Sequence, residues 1–361
     1  MPRALPPIDR ACALHEQAAL LRARGEPARA RRAARQALAI FEAGDGPRSP
    51  DVANVLLAVA GAEHDLGRFG AALMCARRAL AILDRLRGAS ADLAQLRVNA
   101  LLAVARELVA AGEYRAARPL VRRALRVTLT HRLRDSQAAA WNLLGMVCKH
   151  TARWAAGARC YRRAIALLRG RPGSGLALAS LLHNVAGLDH ARGRFARAIA
   201  PARRGLALRQ RLLGPGHPDV AADAAALAAI LDGAGKTREA ERLYRRALRV
   251  YERTLGPAHF EVGFNLGNLA ALCQGAGRLA EAERLYARAI RIKRATLGRR
   301  HPDFAITLSN LAALRERQRR YPTAADLYAE AATLLAETVG RAHPDTKACA
   351  AHRDRLRRLA R

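Results

Sequence analysis

Residues 256–297 read GPAHFEVGFNLGNLAALCQGAGRLAEAERLYARAIRIKRATL. Leu266, Leu269, Ala270 and Cys273 recur at i, i+3, i+4 and i+7, the spacing that lays one apolar stripe along a helix. Gly275 and Gly277 break that pattern, since glycine takes positive φ without steric cost and so ends helices. A second stripe of Ala282, Leu285, Tyr286 and Ala289 then runs on until Gly298. The stretch therefore reads as two helices joined by a tight turn. Small residues at Ala270, Ala282 and Ala289 let the pair approach closely, and Tyr286 fills the space between them.

The same segment begins at Gly214 and again at Gly298, and a truncated copy starts at Gly340, each 42 residues from the last. The equivalent core residues are Ala228, Ala240 and Ala247 with Tyr244, and Ala312, Ala324 and Ala331 with Tyr328. Turn positions in this register fall at Gly25, Gly67, Gly112, Ala152, Gly193, Gly235, Gly277 and Arg319. Eight helix pairs over residues 11–338 follow, with an N-terminal extension at 1–10 and a basic capping helix within 339–361. A helix pair cannot bury its apolar stripe alone, so the pairs must stack. Strong helix formers dominate throughout and no segment alternates with period two, so no strand is expected.

The small, small, aromatic, small order resembles the tetratricopeptide repeat. Trp141, Leu144 and Gly145, then Trp154, Gly157, Tyr161 and Ala164, reproduce its W-x-x-L-G, aromatic, small, aromatic, small order. The 42-residue unit is similar to the kinesin light chain subtype. His217-Pro218-Asp219, His301-Pro302-Asp303 and His343-Pro344-Asp345 carry one of its motifs, and Asn268-Leu269-Ala270 and Asn310-Leu311-Ala312 the other. Phe260 stands where that pattern has proline. The resemblance implies an all-α, right-handed superhelical solenoid of about eight helix-turn-helix repeats, with first helices lining a concave face.

In the family's register that face exposes Asn54, Asn99, Asn142, Lys149, His150, His183, Asn184, His190, Asn268, Gln274 and Asn310. Amide side chains both donate and accept, so they can pair with the backbone of an extended peptide without demanding its sequence. Lys149, His150, His183 and His190 would bias the groove toward acidic or C-terminal carboxylate groups. The same amides would equally serve as solvated polar positions on amphipathic helices. Ala222, Ala225, Ala226 and Ala229 occupy the groove positions of one repeat and make a smooth patch.

Formal net charge is +33, and only four of the 63 basic residues are lysine. Pairs of arginines at 77/78, 122/123, 162/163, 203/204 and 245/246 lie at adjacent second-helix positions and should point outward. Such a stripe could attract the phosphates of nucleic acid, although no interleaved aromatics offer base stacking. A coding bias toward Arg and Ala would give the same recurrence. Six cysteines without C-x-x-C spacing read as buried thiols in a reducing compartment.

Chemistry-bearing motifs fail on inspection. Gly233-Ala-Gly235-Lys236-Thr237 ends like a phosphate-binding loop, but Ile230 stands where the motif requires glycine and the preceding segment is helical. His217, His259, His301 and His343 sit a repeat apart, about 10 Å, too far to share a metal ion. They read instead as loop elements, with Pro and Asp starting the next helix. Ser174 lies in a glycine-rich turn without the context of a catalytic serine. No signal segment or membrane span is evident. The expectation is a cytoplasmic scaffold, not an enzyme, with no cofactor or metal, that binds a protein or extended peptide of acidic character. The alternatives are a basic solenoid binding nucleic acid and a sensor module of a signalling or transcriptional regulator.

Overall fold

All eight turn positions lie at positive φ in the computed structural model: the six glycines at 68–78°, Ala152 at 55° and Arg319 at 58°. Each turn closes the same way. The N–H of the following residue donates to the carbonyl five residues back, as in Glu26 to Leu21 (3.0 Å), Arg153 to Cys148 (2.8 Å) and Arg320 to Arg315 (2.9 Å). This is a Schellman-type stop, which needs one left-handed residue per helix end.

The structure describes residues 6–88 and 90–359, and every regular element among them is a helix. The eight pairs are α1 (Pro7–Ala23) with α2 (Pro27–Gly44), α3 (Pro50–Asp65) with α4 (Phe69–Arg85), α5 (Ala91–Ala110) with α6 (Tyr114–Thr130), α7 (Arg134–His150) with α8 (Trp154–Leu168), α9 (Gly175–Ala191) with α10 (Phe195–Leu213), α11 (Pro218–Gly233) with α12 (Thr237–Thr254), α13 (Phe260–Gly275) with α14 (Leu279–Thr296), and α15 (Pro302–Arg317) with α16 (Tyr321–Thr338). A last helix, α17 (Pro344–Leu359), packs Cys349 and Leu356 into the core of α15 and α16. Of the segments expected at the two ends, residues 1–5 and 360–361 lie outside the described residues; residues 7–10, expected to precede the repeats, form the first turn of α1.

The later first helices start on histidine. The ring Nδ1 of His217, His259, His301 and His343 accepts the N–H two residues on, from Asp219 (3.1 Å), Glu261 (3.3 Å), Asp303 (3.1 Å) and Asp345 (3.3 Å). Histidine here does what Ser or Asp does at an ordinary N-cap. His259 caps even though Phe260 replaces the proline at the first helical position. The α3 loop is the same device with serine: Ser49 Oγ accepts from Val52 N at 3.1 Å, followed by Pro50 and Asp51.

The chain forms two compact units, Met1–Val147 with Arg159–Arg171, and Cys148–Ala158 with Pro172–Arg361. In the first, the interhelical space between α7 and α8 closes on Gly145: a Cβ there would lie 2.4 Å from Tyr161 Cε1. In the second, the alanine trios of all three copies are fully buried around Tyr244, Tyr286 and Tyr328. Leu227, Leu231, Leu269 and Leu272 join Ala228, Ala240 and Tyr244 to Ala270, Ala282 and Tyr286 in one apolar cluster that runs from one pair to the next.

Candidate functional site

In the second unit, basic side chains of second helices reach through to the first-helix layer. Lys293 on α14 lies along α13 where that helix carries Gly263 and Gly267; a Cβ on Gly263 would meet Lys293 Cγ at 3.2 Å. A side chain at 263 would press on the lysine stem, which glycine leaves free. The ammonium emerges over the Phe264 ring (4.4 Å) and donates to Thr307 Oγ1 (2.8 Å) and the Asp303 carbonyl (3.4 Å). Burial pulls it down to about 8, against the opposing pull of Asp303 and Glu261. Burial likewise pushes the Glu261 carboxyl up to about 7; Asp219 adds to that rise and the Tyr251 hydroxyl opposes it.

Arg209 holds the equivalent position on α10. It donates to Asp223 Oδ2 (2.8 Å) and Ser180 Oγ (3.1 Å), and the other Asp223 oxygen accepts from His183 Nδ1 (2.8 Å). The carboxylate thus sets the tautomer of His183 and holds its ring in place.

Lys149 and His150 end α7. Both are half-buried, and a Cβ on Gly187 would come within 3.7 Å of the Lys149 ammonium. Burial lowers Lys149 below the usual lysine range, with Asp303 opposing. His150 is held well below the usual histidine range by burial first, then by Lys149, His301 and His343. Within this unit, then, the end of α7 shares one electrostatic environment with the starts of α15 and α17.

The residues expected in the groove separate into distinct environments. In the first unit, Asn54 is half-buried with its amide 3.4 Å from His15 Nε2, Asn99 is exposed and accepts from Gln95 (2.7 Å), and Asn142 is half-buried and already engaged. In the second, Asn268 is exposed and Asn310 half-buried, one repeat apart on the unpacked face of α13 and α15. Asn184 is buried, at 8% exposure. His183 is tied to Asp223 as described. His190 packs edge-on to Phe195 (5.5 Å), and Gln274 accepts from the Tyr286 hydroxyl (3.1 Å). Gly187, Ala222, Ala225, Ala226, Ala271 and Ala313, on the first helices α9, α11, α13 and α15, are small and only partly buried.

Sequence reasoning missed Lys293, Glu261 and Asp223. A signal existed for the first: lysine is rare in this chain, all four lysines belong to the second unit, and Lys149 and Lys293 are the two that are not exposed.

The arginine pairs all lie exposed on second helices. One member of each is bound: Arg78 to Glu42 (2.6 Å), Arg123 to Asp84 (2.5 Å), Arg203 to Glu239 (3.0 Å) and Arg245 to Glu281 (3.2 Å), each on a neighbouring second helix, while Arg163 lies over the Trp141 ring (4.6 Å). The loop that looks phosphate-binding has a structural account. A Cβ on Gly233 would meet Phe195 Cε1 at 2.4 Å, Gly235 supplies the left-handed turn, and Lys236 precedes the first residue of α12. No helix among the described residues is long and apolar enough to cross a membrane.

Solved structures share this architecture. A Rap protein in complex with Competence and Sporulation Factor aligns over 97% of this chain and 98% of its own, at 12% identity and TM-score 0.63. The apo form of RapI aligns over 79% and 97%, at 15% identity and TM-score 0.56. BtubC (BKLC) from P. vanneervenii aligns over 64% and 92%, at 24% identity and TM-score 0.50. No curated protein matches closely enough to be compared. The tetratricopeptide repeat profile matches residues 9–85, 136–211, 177–253 and 261–337. With that match over most of its length and eight helix pairs closed by one kind of turn, the chain belongs to the tetratricopeptide repeat family.

Proposed function

We propose that this protein is a non-catalytic scaffold that holds an extended peptide, or an extended segment of a partner protein, on the first-helix face of its second unit. The observation that carries this reading is the contrast on that face. Asn268 and Asn310 stand at the same register on α13 and α15, while Gly187 on α9, Ala222, Ala225 and Ala226 on α11, Ala271 on α13 and Ala313 on α15 are small and only partly buried. A peptide backbone can lie close to such a floor, and the two amides can pair with its N–H and C=O groups. Lys149 beside this floor favours an acidic side chain or terminal carboxylate. The Rap protein solved with Competence and Sporulation Factor supports the reading, since a chain of this fold there holds a separate factor.

Selection from a random peptide display library against the full chain tests this. Enriched peptides are expected to be acidic, and Asn268→Ala/Asn310→Ala should weaken them by about 2 kcal/mol, roughly 30-fold, as two lost hydrogen bonds imply. Failure to enrich any peptide, or unchanged affinity in the double variant, contradicts the reading.

A further inference from the structure

The outer faces of α10, α12 and α14 carry charge that the fold does not use. Arg242 and Arg249 on α12, Arg284 and Arg291 on α14, and Arg204 and Arg211 on α10 are all exposed, seven residues apart within each pair. Seven residues is two helical turns, about 10.5 Å, and the three helices are tied side to side by the ion pairs Arg203–Glu239, Arg245–Glu281 and Arg288–Glu252. The result is a lattice of guanidinium groups on one face of the second unit. Glutamates on α12 and α14 are already spoken for: Glu239 by Arg203, Glu241 by Arg245 and Arg278, Glu252 by Arg288, Glu281 by Arg245, and Glu283 by Arg315. The outward stripe of α12 stacks Arg242, Arg246, Arg249 and Arg253 at spacings of four, three and four, so like charges repel along its whole length.

Composition alone does not account for this. The same outward register on α16 carries Asp326, Glu330 and Glu337. The sign of the surface therefore changes by one repeat, and the basic patch has an edge. Every tyrosine of α12 and α14 is buried, so the patch offers no ring for base stacking. Unpaired cations in a regular lattice, without stacking groups, match a phosphate backbone and read no sequence.

We infer that the outer face of α10, α12 and α14 binds the phosphodiester backbone of duplex nucleic acid, independently of sequence and separately from the first-helix face. The test is fluorescence anisotropy of the full chain with a labelled mixed-sequence duplex of about 24 base pairs. Six phosphate contacts predict a log–log salt slope near −5, a loss of roughly 10³-fold between 50 and 200 mM salt. Arg204, Arg211, Arg242, Arg249, Arg284 and Arg291, all changed to Gln, should cost at least 100-fold at 50 mM. Changing Arg85, Arg87, Arg115, Arg122, Arg126 and Arg132 to Gln removes the same charge elsewhere and should cost less than 10-fold. Thermal melts check that both variants fold, and Arg242→Gln/Arg249→Gln alone should make the slope shallower by about 2. Equal losses in the two six-site variants overturn the inference. So does preferential binding to phosphatidylserine vesicles, or a doubling of mass at low salt that the patch variant abolishes, which would assign the face to a second copy of this chain.

Discussion

Lys293 and Thr307 meet at 2.8 Å, the ammonium of a second helix donating to a hydroxyl on the first helix of the next repeat. That hydroxyl in turn donates to the Asp303 carbonyl at 2.8 Å. The lysine is buried, at 5% exposure, and its ammonium is pulled down to about 8. Between about 8 and the ordinary lysine value the unfolded chain holds a proton that the folded chain lacks, so stability rises with pH across that window. Glu261, pushed up to about 7, acts in the opposite sense. From the ordinary glutamate value up to about 7 the folded chain holds the extra proton, so stability falls as pH rises. Together these two groups place a minimum of stability between about pH 7 and 8. Lys293→Met should raise stability at pH 7 by about 1–3 kcal/mol and flatten the rise above pH 8, read from urea denaturation at a series of pH values.

Gly145 tests the packing of the first unit. Adding a Cβ gains up to about 1 kcal/mol of helix propensity but forces it against the buried Tyr161 ring at 2.4 Å, an overpacking cost of about 1–3 kcal/mol. Gly145→Ala is therefore destabilising in the native background. In a Tyr161→Ala background the same change should become stabilising, and a double-mutant cycle reads the change of sign.

Two of the eight turns within helix pairs close without glycine. Ala152 and Arg319 sit at φ 55° and 58°, where a side chain costs about 1–2 kcal/mol. Ala152→Gly and Arg319→Gly should each stabilise by about 0.5–1 kcal/mol once the extra freedom of the unfolded chain is counted. Gly235→Ala, at φ 76°, should destabilise by a similar amount. Melting temperatures of the three variants measured side by side check the pattern.

The histidine caps make a separable claim. His301→Ala removes the acceptor for Asp303 N and should cost about 1 kcal/mol, whereas His301→Asn supplies another acceptor and should cost only a few tenths. Chemical denaturation of both variants distinguishes a capping role from mere bulk, for which the two would lose equally.

Much of the fold is legible in the sequence because it rests on local chemistry repeated in register. A glycine at Gly235 or Gly277 needs no tertiary information to be read as a left-handed stop, and Tyr286 between Ala282 and Ala289 announces its own packing. Ala152 and Arg319 fall at turns by register alone, and their positive φ follows the repeat where composition gives no hint. The capping role of His217, His259, His301 and His343 was less legible, since a ring nitrogen at an N-cap is uncommon and the following Pro and Asp explain a helix start by themselves. Ser49 shows the same loop in a repeat where the histidine motif is absent. The candidate site was the least legible part. Amphipathic register can say that Asn184 and Gln274 lie toward the first-helix face, but not that Asn184 is buried or that Gln274 meets Tyr286 at 3.1 Å. Nor does it reveal that Lys293, on a second helix, crosses to the other layer, because that route runs past Gly263 of a different helix, where a Cβ would come within 3.2 Å of the lysine stem.

The most direct test of the peptide-binding account puts a photo-crosslinking residue at one position at a time and exposes the full chain to a peptide selected for binding. Position 268 belongs to the proposed peptide-binding face and position 246 to the arginine stripe of α12, and both are exposed. Crosslinking at 268, abolished when Ala226→Trp fills the floor and absent at 246, is the predicted result. A peptide that binds but crosslinks at 246 and not at 268 contradicts the account.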